Sequence, residues 1–123
     1  MNASTIQADD DTAAILGALR SELRNPSGPL SLLVRFTVHE GQENRVETAF
    51  GRARPQTLSE PGCRAYELHQ DPRTPHSFVV YERWRSLADL EAHFRKDYFA
   101  TVRNEIGALI VAAPEFQVLL PTA

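Results

Sequence analysis

The side chains best suited to chemistry are His93, the strand pair Glu67 and His69, and a group of aromatic residues. His93 lies beside Phe94 and three residues after Leu90, at the margin of an apolar helical stripe. A neutral imidazole there could take a proton from a phenol or an enolisable carbon near neutral pH. The same position also suits a core histidine satisfied by a backbone carbonyl or by Glu67. Glu67 and His69 share a strand face, so the carboxylate could orient the imidazole as in a catalytic triad. Glu67 also reads, as Glu82 does, as a partner for arginines such as Arg64 and Arg35. Phe50, Trp84, Phe94, Tyr98 and Phe99 could line a pocket for a flat apolar substrate or simply fill the core.

Other candidates carry less. His39, His69 and His76 invite a metal reading, with His69 and His76 at the hairpin mouth near Asp71, but their spacing is no metal signature, so they read as solvated turn residues and no metal is expected. Cys63 is the only cysteine. It excludes an internal disulfide and reads as a small apolar residue at a strand start rather than a reactive thiol. The absence of a Gly-rich phosphate loop speaks against flavin or nicotinamide bound in the Rossmann manner.

These residues need a hairpin and a helix to position them. Gly62 to Gln70 and His76 to Trp84 are runs of strand length, separated by Asp71-Pro72-Arg73-Thr74-Pro75. Two prolines in five positions remove ladder donors, so that segment is a turn. Pairing Gln70 with His76 puts Arg64, Tyr66, Leu68, Phe78, Val80, Glu82 and Trp84 on one face, with Arg64 opposite Glu82. Cys63, Ala65, Glu67, His69, Ser77, Val79, Tyr81 and Arg83 take the other. Ser86 is placed to cap a helix beginning near Leu87.

Residues 61–99 resemble the antibiotic biosynthesis monooxygenase (ABM) domain family. The resemblance is carried by Pro61-Gly62-Cys63-Arg64-Ala65-Tyr66-Glu67, by Tyr81-Glu82-Arg83-Trp84, and by Glu91-Ala92-His93 on the following helix. It extends over about residues 30–120 and implies a dimeric α+β barrel. It also implies a cofactor-independent monooxygenase in which O2 is the co-substrate and the substrate is a phenol or hydroquinone of fused-ring type. His93 would be the base, supported by Glu67, and Trp84, Phe94, Tyr98, Phe50 and His69 would form the pocket. Haem-degrading relatives of the same fold match at Trp84. Their iron-ligating histidine corresponds to Val102 here, and their strand asparagine has no counterpart among Leu32 to Thr37, so haem is not expected. Two other readings stay open: an isomerase of a small carbonyl metabolite, and a non-catalytic dimeric domain that binds a small ligand.

The rest of the chain fits that frame. Residues 1–28 read as an N-terminal extension and 29–123 as the ABM-like domain. Residues 1–10 should fray. Residues 12–24 form a helix with Ile15, Leu16, Leu19 and Leu23 on one stripe, capped by Asp11 or Thr12 and ended by Asn25-Pro26. Leu30 to Val38 alternate as a strand that His39-Glu40-Gly41 breaks. A helix follows over 42–54, stopped by Pro55, with 56–61 as a loop or short turn. The second domain helix loosens at Lys96-Asp97, resumes through Val102 and Ile106, and gives way to a last strand over 115–120. Strand, helix, strand, strand, helix, strand is the split β-α-β, ferredoxin-like pattern: a four-stranded antiparallel sheet with helices on one face, plus an extra N-terminal helix. The other face keeps apolar side chains, which a two-fold dimer would cover.

Composition sets the bounds. The chain has 123 residues, enough for one domain with a real core. Its formal charge of −3 argues against a dedicated nucleic-acid binder. No apolar run approaches a membrane span, and Asp9-Asp10-Asp11 near the start is unlike a secretory signal. The expected compartment is the cytoplasm, with the partners being a second copy and a small aromatic or carbonyl substrate.

Overall fold

The computed structural model describes residues 9–122. The elements in order are α1 (Asp9–Glu22), β1 (Leu30–Thr37), α2 (Glu43–Leu58), β2 (Cys63–Gln70), β3 (Ser77–Trp84), α3 (Leu87–Phe94), α4 (Asp97–Gly107) and β4 (Glu115–Leu119). The sheet is antiparallel with order β2-β3-β1-β4, as the split β-α-β pattern requires. The expectation for residues 1–8 lies outside the described residues.

Strand parity decides which side chains the helices cover. Leu30, Leu32 and Phe36 of β1, Tyr66 of β2, and Phe78, Val80 and Trp84 of β3 are buried on the helix side. They form two apolar clusters. One joins Leu19 and Leu23 of α1 to Leu87, Leu90 and Phe94 of α3 over Leu30, Leu32 and Trp84. The other joins Val46 and Phe50 of α2 to Phe36, Tyr66, Phe78 and Val80. The stripe expected on α1 therefore docks beside α3 on the covered face. Asp11 and Thr12 lie inside the helix rather than at its cap, because helical backbone already begins at Asp9.

The hairpin differs from the expected register by two residues. Gln70 pairs with Phe78, and Tyr66, not Arg64, stands opposite Glu82. The turn is longer than expected: Asp71 N donates to Ser77 O at 3.0 Å, which closes the ladder one pair later. A shift of two preserves the face of every residue from Tyr66 onward. A bulge between Cys63 and Ala65 then pairs Cys63 with Trp84 and turns Arg64 out, where it donates to Pro61 O at 3.0 Å. Cys63 thus joins the covered face, contrary to expectation, and no Arg64–Glu82 pair forms.

Helix ends explain the remaining geometry. α2 runs through Pro55 to Leu58 instead of stopping before the proline. The proline lies on the exposed side of the last turns, and its own carbonyl still accepts from Ser59 N at 3.2 Å. That extension carries the chain to Glu60. Ser86 caps α3 as expected, its Oγ accepting from Asp89 N at 3.3 Å. Gly62 has no alternative there, because a Cβ would overlap the Asp89 side chain. Gly41 takes φ 90° in the turn before α2, a conformation that favours glycine. The expected bend appears at Lys96, whose extended backbone separates α3 from α4. On the face without helices, Arg35 Nη1 donates to Gln117 Oε1 at 2.8 Å, and the Thr37 and Ser77 hydroxyls meet at 2.8 Å. Leu33, Val79 and Tyr81 are half-buried there in the single chain.

Candidate active site

His93 sits at the centre of the aromatic core, with 0% of its surface exposed. α3 turns it inward because it follows Leu90 by three positions on the buried stripe. Its ring centroid is 4.9 Å from that of Trp84, 4.9 Å from Phe99 and 5.5 Å from Tyr66. Nδ1 and Glu60 Oε2 are 2.8 Å apart, and the Tyr98 hydroxyl donates to the same carboxylate oxygen at 2.5 Å. The partner of His93 is therefore Glu60, not Glu67.

Burial raises the Glu60 pKa, but hydrogen bonds from His93 and Tyr98, with the charges of His93 and Lys96, outweigh it and hold the carboxyl below its ordinary value. With Glu60 ionised, Nδ1 of His93 carries the donated proton. His93 Nε2 is buried and has no hydrogen-bond partner among the described residues. Tyr98 is pushed up, by burial first and then by its bond to Glu60.

A second buried carboxylate stands on β3. Glu82 follows Val80 by two positions on the covered face and is 5% exposed. Trp84, two further on, donates Nε1 to Glu82 Oε1 at 2.9 Å. Burial pushes the Glu82 carboxyl above its ordinary range. The charge of His93 and the Trp84 bond oppose that shift, and the charge of Glu60 adds to it.

A cavity of about 100 Å³ opens beside Glu82. Its walls are Phe50, Tyr66, Phe94, Phe99, Val102 and Ile106, with Leu32 and Val34 from the sheet. Phe50 stacks on Tyr66 at 4.6 Å and Phe94 on Phe99 at 4.7 Å between ring centroids. Glu82, Tyr66, Thr12 and Arg103 are the polar residues of the lining.

Five of the expected site residues thus gather here, in different roles. Phe50 and Phe94 form cavity wall. Trp84 holds Glu82, Tyr98 holds Glu60, and the His93 ring stands behind Tyr66, Phe94 and Phe99. Glu67 and His69 are elsewhere: they pair at 3.0 Å on the sheet face away from the helices, both substantially exposed. The expected carboxylate–imidazole contact within that pair is present, but strand parity aims it away from the cavity. Glu60 escaped the sequence reading because it follows Pro55 in a stretch with no periodic pattern. Glu82 was read as an arginine partner; its signal was its parity with Val80 and Trp84. Burial pushes the Cys63 thiol up to about 11, which fits an unreactive residue. Among the described residues no group of three or more His, Cys, Asp or Glu is placed to hold a metal, and no helix is long and apolar enough to cross a membrane.

Comparison with known proteins places this chain among relatives. Residues 29–105 match the family described as antibiotic biosynthesis monooxygenase. The Escherichia coli K12 protein named "Probable quinol monooxygenase YgiN" is 30% identical over 91 residues, covering 63% of this chain and 88% of that one. The Synechocystis protein sll1783 is 44% identical over 60 residues, which span 49% of this chain and 41% of that protein's length. The crystal structure of PA3566 from Pseudomonas aeruginosa is 29% identical with a TM-score of 0.71, covering 80% of this chain and 99% of that one. Rv0793 from Mycobacterium tuberculosis, 24% identical over 78% of this chain and 97% of its own, shares the fold with a TM-score of 0.72.

The two buried glutamates should titrate stability in opposite senses. The Glu82 pKa is raised, so between its unfolded value of about 4.5 and its folded value the unfolded chain ionises first and the native state loses stability as pH rises. Glu82→Gln keeps an acceptor for Trp84 and removes that loss. It should be more stable than the wild type at pH 7, with the difference closing below about pH 4.5. The Glu60 pKa is lowered, so its contribution is full above 4.5 and fades as pH falls through the folded value. Glu60→Gln should be less stable than the wild type at pH 7, by about 1–3 kcal/mol. Urea unfolding of both variants across pH 3–8 checks the signs. The same sign for both at pH 7 would contradict this electrostatic description.

Proposed function

The chain belongs to the antibiotic biosynthesis monooxygenase family, and we propose that it oxidises a small phenol or hydroquinone with O2 without a prosthetic group. The observation that carries this reading is the buried Glu82 carboxylate in the wall of an otherwise apolar, aromatic cavity. A benzene-sized ligand occupies an apolar cavity of about 150 Å³. The cavity of about 100 Å³ here is smaller than that, which argues against a fused-ring substrate and for one ring at most.

The chemistry asked of the protein is small. Glu82, with its carboxyl shifted upward, takes the phenolic proton while Trp84 fixes one of its oxygens. The phenolate passes one electron to O2. Phenoxyl radical and superoxide join at a ring carbon that bears hydrogen, para or ortho to the phenol oxygen (ortho in a hydroquinone or a para-substituted phenol), and the proton returns from Glu82 to the peroxide. The O–O bond then breaks, hydroxide leaves, and the hydrogen on that carbon departs as a proton. One phenol and one O2 give one quinone and one water; a hydroquinone gives the hydroxyquinone and water. The apolar wall excludes bulk water, which would quench the radical pair. His93, held by Glu60 behind the wall, acts on Glu82 through space against the upward shift that burial causes; it is a positioning residue rather than the first proton acceptor.

Oxygen uptake with a panel of one-ring phenols and hydroquinones tests the reading. Glu82→Gln should lower kcat by about 100-fold or more. His93→Gln should lower kcat less and move its pH profile, because it alters the field at Glu82. Uptake unchanged in Glu82→Gln would remove that residue's role. Turnover without O2 consumption would point instead to isomerisation.

The helix-free sheet face completes the proposal. Leu33, Val79 and Tyr81 lie half-buried there, and Leu119 is 40% exposed. Packing two sheets face to face would cover them. Light scattering should give the mass of a dimer, and Tyr81→Glu should shift it to that of a monomer. A monomeric wild type would contradict this.

A further inference from the structure

α1 lies outside the stretch that matches the family, residues 29–105, yet it contributes Thr12 and Ile15 to the cavity wall. Where α1 meets α4, Arg103 reaches the same wall. Its Nη1 donates to Thr12 Oγ1 at 3.3 Å, and its guanidinium carbon stands 5.7 Å from the centroid of the Phe99 ring. Its Nε is buried and has no acceptor among the described residues. None of the ion pairs among those residues includes Arg103.

A buried N–H of a charged group without an acceptor is costly, and an acceptor that arrives with a ligand relieves the cost. Guanidinium is also the side chain best shaped to hold a carboxylate, through two parallel bonds. The groove between α1, α3 and α4 shares Thr12, Phe94 and Arg103 with the cavity, so Arg103 lines both. That groove adds Arg95 and Lys96 against Glu91 and Asp97, and Arg95 already pairs with Glu91 at 3.1 Å.

The geometry points to a second recognition station: Arg103 and Thr12 hold the carboxylate of a one-ring phenol that carries a short acidic side chain, while the ring lies in the cavity with its hydroxyl toward Glu82. This rests on the reading of the cavity as the substrate site, but not on the oxidation chemistry. It also gives the additional helix a purpose, because α1 supplies one of the two polar groups of the station.

Anaerobic equilibrium binding of 3-(4-hydroxyphenyl)propanoate and of 4-propylphenol tests it, followed by the fluorescence of Trp84, the single tryptophan. The wild type should bind the acid at least about tenfold more tightly than the neutral compound. Arg103→Gln should abolish that preference and leave the affinity for 4-propylphenol within about twofold, which also shows that the cavity is intact. Arg103→Lys should restore part of the preference. Equal affinities in the wild type, or a preference that survives Arg103→Gln, overturn the assignment. Failure of both compounds to bind overturns the cavity reading itself. No turnover is measured, so a protein that prefers the acid but consumes no oxygen keeps this site and loses only the proposed oxidation.

Discussion

The covered face of the sheet is an apolar surface with one carboxylate built into it, and the surrounding structure is arranged to tolerate that group. Glu82 reaches the cavity because it shares strand parity with Val80 and Trp84. Burying a carboxylate this deeply is unfavourable unless its oxygens find donors or it stays protonated. Trp84 Nε1 serves one oxygen at 2.9 Å, and the His93 charge acts on the group through space. The cavity leaves room for a substrate hydroxyl beside it. A protein selected for stability alone would place an apolar side chain there.

Two glutamates with opposite shifts divide the labour. Glu60 receives two hydrogen bonds on one oxygen and is held ionised. Glu82 receives one and is pushed toward its protonated form. Environments that push paired titratable groups apart are how a site assigns acid and base roles. Here the imidazole between them is anchored by the ionised partner and faces the other only electrostatically. That is why the fully buried histidine fits a supporting role: it has a fixed hydrogen bond on one side and lies outside the cavity lining, next to Tyr66, Phe94 and Phe99. The break at Lys96 matters for the same reason, since it turns α4 so that Tyr98 meets Glu60 and Phe99 meets the cavity.

Much of this was legible in the chain, for reasons that can be named. Alternation from Leu30 to Val38 fixed the covered face of β1, and Ser86 marked the start of α3. The hairpin register was not fixed by pattern, because an error of two residues leaves every face from Tyr66 onward unchanged; only the turn geometry at Asp71 and the bulge at Cys63 decide it. Pro55 misled because a proline near a helix end can stay in the helix when its neighbours need no bond from it. Glu60 sits beyond that proline with no periodic neighbours, so the partner of His93 could not be read and Glu67 was the nearest substitute. Glu67 and His69 did pair, but on the face that parity turns away from the helices.

The central claim is that Glu82 is a buried carboxyl with a raised pKa that meets the ligand. Infrared difference spectra of the wild type against Glu82→Gln, recorded across pH with and without a bound one-ring phenol, read that group directly. The account predicts a protonated-carboxyl band, absent in Glu82→Gln, that persists above the ordinary carboxylate range and shifts when the phenol binds. A carboxyl that ionises at its ordinary value, or a band indifferent to the ligand, would contradict it.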